Sequence, residues 1–313
     1  MSNHDDRPPT LATHLGDRGV IRVAGPDALK LLDGLVTNDL ERLSQGLVIH
    51  AGLLAPQGKI LFAMFLYGDG DDILIDVPRQ LVGELIKRLT LYRLRAKVTF
   101  EDISDRVGIA AVWGEPIEVP AGVLGGADPR STGLGARYVL PLGRIGELPG
   151  EHVDVAVYDD HRIALGIGND DRDYARTDTF PHEANFDLTS SVDFKKGCFV
   201  GQEVVSRMQH KTVVRKRVVK VSALAEDRRL QPGTNLYASG IPAPVGEIGS
   251  VSNDGRSALA FVKLDRVSDT LDKGGAITAG EGADAAAIEV DGAALQRYRA
   301  AVVARAAREE RNA

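Results

Sequence analysis

A chain of 313 residues with a single cysteine, Cys198, must hold its fold without an internal disulfide. Nor can it build a thiolate-rich zinc or iron–sulfur site from its own side chains. Stability has to come from apolar burial, and 43% hydrophobic against 26% charged residues supply the material for it. The length predicts two or three domains. With 38 basic and 44 acidic residues the net charge is −6, which argues against a nucleic-acid binder, since such a protein carries a basic excess. The longest apolar run, Ile60 to Tyr67, is strand-sized, so no transmembrane span is expected. Met1 to Pro9 are polar and lack the apolar core of a signal peptide. Together with the lone cysteine this predicts a reducing, cytoplasmic setting.

Residues 19–24 read as a strand, followed by a helix opening at Pro26 with Leu31, Leu32, Leu35 and Val36 on one face. The polar triplet Thr37-Asn38-Asp39 ends it as a turn. Strands are expected over 47–53 and 59–67, joined by Ala55-Pro56-Gln57-Gly58, and again over 73–77. A helix then opens at Pro78 with an apolar stripe from Leu81 to Leu89, and strands follow over 96–103 and 107–113. This run predicts an α+β arrangement, with helices on one side of an antiparallel sheet. The Gly/Pro-rich stretch 114–135 reads as a long connection, 136–142 as a strand and 150–167 as an imperfect helix. Beyond residue 214, strands separated by turns at Gln231-Pro-Gly, Gly240-Ile-Pro and Asn253-Asp-Gly have the spacing of a small barrel, and 293–308 is helical.

Several chemistries are excluded by spacing. Gly52 to Ile60 has one residue too many between its glycines for a phosphate loop, and Ile60 stands where Ser or Thr should hold magnesium. Gly133-Leu-Gly135 lacks the third glycine of a dinucleotide site. The seven histidines offer no helical metal pair, and no Gly-x-Ser-x-Gly elbow is present. The informative segment is Phe180-Pro-His-Glu-Ala-Asn-Phe-Asp187, then Val192-Asp-Phe-Lys-Lys-Gly-Cys-Phe-Val-Gly-Gln-Glu203 and Arg207. Lys195, Lys196 and Arg207 can hold an anion or favour a reactive thiolate at Cys198, and Gly201 can open a helix whose N–H groups face an anion. The ordinary readings compete. A free cysteine is a small hydrophobe suited to a core, Lys195-Lys196 can be a solvated pair, and Glu203 with Arg207 a surface ion pair. Lys211, Arg215, Lys216, Arg217 and Lys220 read as an edge strand protected by charge, or as a patch that docks a partner or a polyglutamate tail.

The run Lys196-Gly-Cys-Phe-Val-Gly-Gln-Glu203 resembles the signature of the YgfZ branch of the folate-binding, glycine-cleavage T-protein-like superfamily, which includes mitochondrial iron–sulfur cluster assembly factors. The resemblance extends to Pro181, Glu183, Asn185 and Asp187, to Arg162 with Gly166, and to the early Leu35-Val-Thr-Asn-Asp39 run. Val245-Gly-Glu-Ile-Gly-Ser-Val-Ser and Ser257-Ala-Leu-Ala-Phe-Val are similar to the superfamily's C-terminal barrel. It implies an α+β fold: a three-part ring of two α+β, ferredoxin-like modules and a C-terminal β-barrel around a central folate pocket. Residues 1–46 with 150–213 would form the discontinuous folate-binding domain, 47–149 the inserted domain, and 214–313 the barrel with its terminal helix.

The same resemblance implies a tetrahydrofolate-binding factor, or one taking a one-carbon derivative, for assembly or repair of iron–sulfur clusters. Its clients would be a subset of iron–sulfur enzymes, tRNA-modifying radical enzymes among them, and its partners the assembly machinery, with no nucleic acid or membrane bound directly. Cys198 carries over as the functional thiol, without a resident metal. Asn38, Gln57, Arg162, Glu183 and Lys196 carry over as folate contacts, joined by Gln202, Glu203 and Arg207 from the motif segment. The alternatives are a folate-dependent aminomethyltransferase or a folate-sensing module. The transferase needs a Gly-Gly-x-x-Asp-Asp run, and its counterpart, Gly58-Lys-Ile-Leu-Phe-Ala63, has neither carboxylate. Ordinary turnover is therefore not expected.

Overall fold

The computed structural model describes residues 9–115, 121–170 and 172–312. The polar segment 1–8 and part of the Gly/Pro-rich connection, 116–120, lie outside the described residues. Contacts divide the chain into two compact units: residues 1–55, 61–158 and 189–200 form one, and 56–60, 159–188 and 201–313 the other.

Among the described residues the first unit contains ten strands in two sheets. They are β1 Leu11–His14, β2 Arg18–Ala24, β3 Ile49–Leu54, β4 Ile60–Asp69, β5 Asp72–Pro78, β6 Thr99–Asp102, β7 Val107–Trp113, β8 Leu124–Ala127, β9 Ala136–Pro141 and β10 Glu151–His152. One sheet has the order β3-β4-β5-β2-β6 and the other β10-β1-β7-β9-β8. The β4–β5, β5–β2 and β2–β6 pairs are antiparallel, β4–β5 as a tight hairpin and the other two through long connections. Period-two alternation sends Phe62, Met64 and Leu66 of β4 and Ile73, Ile75 and Val77 of β5 into one core. Helices α1 (Ala28–Asp33) and α2 (Val82–Arg93) cover that face, α2 through Val82, Leu85 and Leu89. The opposite face of β4 is buried as well, which is why Ile60 to Tyr67 reads as an unbroken apolar run.

The second unit is built on a closed barrel of β11 Lys216–Ala223, β12 Asn235–Ala238, β13 Ile241–Val251, β14 Ser257–Lys263, β15 Ile277–Ala279 and β16 Ala286–Val290. Helix α3 (Val155–Ala164) leads into this unit and α4 (Gln202–Lys211) belongs to it, while α5 (Leu264–Asp272) and α6 (Gly292–Asn312) follow β14 and β16. Among the described residues no helix is long and apolar enough to cross a membrane.

Four local expectations are corrected. The first helix is a short one, because Leu35 and Val36 leave the helical path. Within 114–135 the Gly-rich Leu124–Ala127 pairs with β9 as a sheet-edge strand, which its composition conceals. The segment 150–167 begins with β10 and becomes helical only at Val155. Strand β11 is no edge: it pairs with β14 on one side and β16 on the other. Closure of the barrel satisfies both its rows of backbone groups, so charge there does not guard against edge pairing. Helix α5 buries Leu264 and Val267, but Asp, Ser and Thr dilute its pattern in the sequence.

Candidate functional site

In the first unit, the loop that carries Cys198 is held in place by a motif about 160 positions upstream. The Thr37 hydroxyl donates to the Ser191 carbonyl at 2.6 Å and accepts the Gly52 N–H at 2.8 Å. Asn38 Nδ2 donates to the carbonyls of His50 at 2.9 Å and Ser190 at 2.7 Å. The Asp193 N–H reaches the Thr37 carbonyl at 2.9 Å. Lys196 completes the clamp. Its Nζ lies 2.7 Å from the Asp33 carbonyl, 3.0 Å from Asp33 Oδ1, 3.0 Å from the Val36 carbonyl and 2.8 Å from the Asn38 carbonyl. These groups include free carbonyls at the end of α1, where a cation is favoured. With the side chain 2% exposed, the three ammonium donors are already spent.

Two carried-over contacts therefore have structural work in this geometry. Lys196 and Asn38 are anchors of the motif loop, and the reading of Lys195-Lys196 as a solvated pair fails for Lys196. Phe199 is buried next to the anchor and Val200 packs on the core, whereas Cys198 before them is exposed. The ordinary reading of this cysteine as a packing hydrophobe is thereby corrected. The thiol faces solvent from a backbone that its neighbours immobilise.

A second feature of this unit was missed from sequence. Asp76 on β5 is buried between Arg18 (Nε–Oδ1 2.5 Å) and Arg137 (Nη2–Oδ2 2.7 Å). Arg130 forms a bidentate pair with Asp128, with contacts of 3.0 and 2.9 Å. The guanidinium groups of Arg137 and Arg130 lie 4.0 and 4.7 Å from the centroid of the Phe65 ring, and the His50 ring packs against it in a tilted contact at 4.6 Å. The available signal was a lone carboxylate inside the apolar strand Ile73-Leu-Ile-Asp-Val77. Burial opposes ionisation of Asp76, but Arg18 and Arg137 outweigh it and hold the carboxyl below its ordinary range.

His50 responds in the other direction. Burial, reinforced by Arg130, holds its imidazole neutral to well below the ordinary histidine value, with Nδ1 2.6 Å from the Ser191 hydroxyl. The unfolded chain takes up this proton near pH ~6.5 and the folded chain does not. Stability is therefore complete above that pH and falls as the pH drops, by up to about 1.4 kcal/mol per pH unit for this group. His182, lowered chiefly by burial, acts in the same sense. Urea titrations of His50→Gln are expected to show a shallower loss of stability between about pH 6.5 and 5 than the parent. An unchanged slope assigns the acid sensitivity to other groups.

The remaining sequence-identified residues lie in the second unit. Arg162 is fully buried: Nε meets Asp159 at 2.6 Å, Nη1 meets Asp173 at 3.0 Å and the Ile167 carbonyl at 3.1 Å, and Nη2 meets the Ser250 hydroxyl at 2.6 Å. It ties α3 to barrel strand β13 and has no free face for a ligand, so its folate assignment is corrected to a structural one. A Cβ on Gly249 would stand 2.4 Å from the Arg172 carbonyl and 2.6 Å from Asp173 Oδ1, which explains the glycine before Ser250.

Glu183 accepts the Phe180 N–H at 2.9 Å, and Gln57 is exposed in the 55–58 turn. In that turn Gly58 has φ +81°, and a Cβ there would meet Val204 at 2.8 Å. Gly201, at φ +83°, precedes α4 as expected, with Gln202 and Glu203 in its first turn. Arg207 is exposed, and among the described residues no ion pair joins it to Glu203, so the expected surface pair is not formed. Of the basic stretch, Arg217 is engaged with both oxygens of Asp187 at 2.8 Å, and Lys220 reaches the Ala164 carbonyl at 3.3 Å. Among the described residues no group of three His, Cys, Asp or Glu side chains is arranged to hold a metal.

These features define a class before they define a family. The solved structure of the glycine cleavage system aminomethyltransferase T from Bartonella henselae matches with a TM-score of 0.72 over 91% of this chain and 85% of that one. At 17% identity the likeness establishes the fold alone. A family model described as the CAF17 C-terminal beta-barrel domain matches residues 215–295, the closed barrel. The protein is thus an aminomethyltransferase-T-like α+β chain with a CAF17-type barrel.

Among curated proteins, it is 31% identical over 299 residues to the mitochondrial iron–sulfur cluster assembly factor IBA57 homolog of Coccidioides immitis, covering 82% of this chain and 69% of the relative. It is 34% identical over 265 residues to that of Pyricularia oryzae, covering 78% and 67%. The chain belongs to the family of iron–sulfur cluster assembly factor IBA57 homologs. It spans 57% of the length of the Mycosarcoma maydis relative, to which it is 33% identical in an alignment of 244 positions that covers 72% of this chain. All three relatives are named mitochondrial, which overturns the expectation of a cytoplasmic protein. A lone cysteine separates reducing from oxidising surroundings, but does not separate one reducing compartment from another.

Proposed function

We propose that this protein is a tetrahydrofolate-binding factor of the YgfZ type that assembles or repairs iron–sulfur clusters in a subset of client enzymes, tRNA-modifying radical enzymes among them. The names of its relatives support the assembly role. The observation that carries the reading on this chain is the exposed Cys198 thiol on a loop pinned by Thr37, Asn38 and Lys196. A pinned loop presents sulfur at a defined place without a reorganisation cost. The cluster is cargo here. One thiol cannot hold it unaided, so its other ligands come from a client, a second copy or a small molecule.

The aminomethyltransferase-like fold supports folate as the small-molecule ligand. With Lys196 engaged, Lys195 is the exposed cation beside the motif loop that an anionic folate tail would use. The rival transferase reading lacks its acid–base group: Phe62 and Ala63 occupy the two carboxylate positions and both are buried. Calorimetric titration with tetrahydrofolate should give measurable heat of binding, and the parent protein should restore cluster-dependent activity to a client in cells lacking it. Absence of binding removes the folate part, and failure to restore the client removes the assembly part. Turnover of a one-carbon adduct would favour the transferase.

A further inference from the structure

The C-terminal end of α2 and the turn that follows carry a surface for which the reading above has no use. Residues 85–98 contain five cations, Lys87, Arg88, Arg93, Arg95 and Lys97, and no carboxylate, in a chain whose net charge is −6. None of the five forms an ion pair among the described residues. The lower part of the helix is ordinary: Val82, Leu85 and Leu89 face the core. Leu91 and Leu94, however, are 70% and 87% exposed, the largest such values among the described large apolar residues. Lys87 and Leu91 are one turn apart on the same helix face. Single exposed leucines are common, but an exposed pair among five cations that form no ion pair is not a feature of a merely solvated helix end.

The backbone adds an independent observation. Leu94 has φ +45° and ψ −107°, and the Ala96 N–H reaches the Arg93 carbonyl at 2.8 Å. That is the first central position of a type II′ turn, where glycine is the favoured residue. A leucine here is strained, and the strain is maintained by the next contact: the Lys97 N–H is fixed at 2.7 Å to Asp27 Oδ2. The chain thus bears a costly conformation at a residue whose side chain is spent on solvent. Such strain persists where the surroundings enforce it, and it concentrates at functional positions.

We infer that the Leu91–Leu94 knob, with the cations around it, is a docking surface for a partner protein that presents an acidic amphipathic helix, its apolar side chains receiving the two leucines and its carboxylates facing Lys87, Arg95 and Lys97. Charge complementarity selects this occupant. Two leucines are few apolar anchors for holding a surface on a bilayer, whereas they suffice as knobs for the groove of a single helix.

The test uses the full chain and a fluorescein-labelled Glu/Leu amphipathic peptide of about 20 residues, long enough to hold a helix, read by fluorescence anisotropy. Binding should weaken with added salt. Leu94→Gly should weaken it about tenfold, the burial worth of a leucine converted to affinity, while the melting temperature stays the same or rises because the turn strain is relieved. Lys87→Glu combined with Arg95→Glu should abolish it. A Leu94→Gly variant that melts lower and binds the peptide as the parent does would make Leu94 a purely structural residue and overturn the proposal. So would absence of peptide binding, or binding to vesicles of phosphatidylcholine with phosphatidylserine in preference to the peptide.

Discussion

Replacement of Arg162 by Ala should lower stability by about 3–5 kcal/mol, the usual consequence of removing one partner from a buried ion pair. The loss arises on the groups left behind. Asp173 is fully buried, and it also accepts the Asn169 N–H at 2.7 Å and the Ser250 N–H at 2.7 Å. Without the guanidinium it becomes a buried carboxylate satisfied only by neutral donors. Asp159 loses one of its two arginines and retains Arg172 at 2.9 Å. Arg162→Lys should recover only part of the loss, because one ammonium cannot reproduce contacts spread over a planar fork. Thermal melting should show a drop on the order of 10 °C for the alanine variant. Near-parent stability, accompanied by a large loss of tetrahydrofolate affinity, would return Arg162 to the ligand-binding residues and contradict the structural role assigned to it.

Cys198→Ala is the opposite kind of variant. The side chain is exposed, and the loop is positioned by the anchors around it, so stability should change by no more than about 0.5 kcal/mol, as for surface substitutions generally. Restoration of client activity should nevertheless be lost, since sulfur is what a methyl group cannot replace. Tetrahydrofolate affinity should remain close to that of the parent. Cys198→Ser separates two chemistries: a hydroxyl preserves size and hydrogen bonding but is neither a soft metal ligand nor a redox-active group. If the alanine variant supports clients fully, the thiol has no role in assembly, and a folate-binding module becomes the better account.

Much of this architecture was legible in the chain. The strands around Ala55-Pro56-Gln57-Gly58, the helix after Pro78 and the barrel-like spacing beyond residue 214 all follow from local periodicity and turn chemistry, which depend on near neighbours only. The site was legible as a segment and not as a geometry. Lys196 and the run Leu35 to Asp39 stood out separately, yet only folding shows that the ammonium of the first is consumed by the carbonyls of the second. Arg162 stood out as well, with nothing in its surroundings to show that it would be enclosed. The Asp76 cluster is not legible in the sequence, because a single acid in an apolar strand has no periodic signature. Its partners Arg18 and Arg137, and the Asp128–Arg130 pair beside them, come from elements far away in the chain.

By itself, then, the sequence determined the α+β class, the absence of internal disulfides, the barrel and the prominence of Cys198, because these rest on composition, local spacing and a contiguous motif. Tertiary structure alone decided which charged groups are available. An ammonium or guanidinium looks the same in a sequence whether it faces water or is enclosed by carbonyls and carboxylates. That difference is set by contacts between residues far apart in the chain, and here it turns Lys196 and Arg162 into struts while leaving the thiol of Cys198 open to solvent.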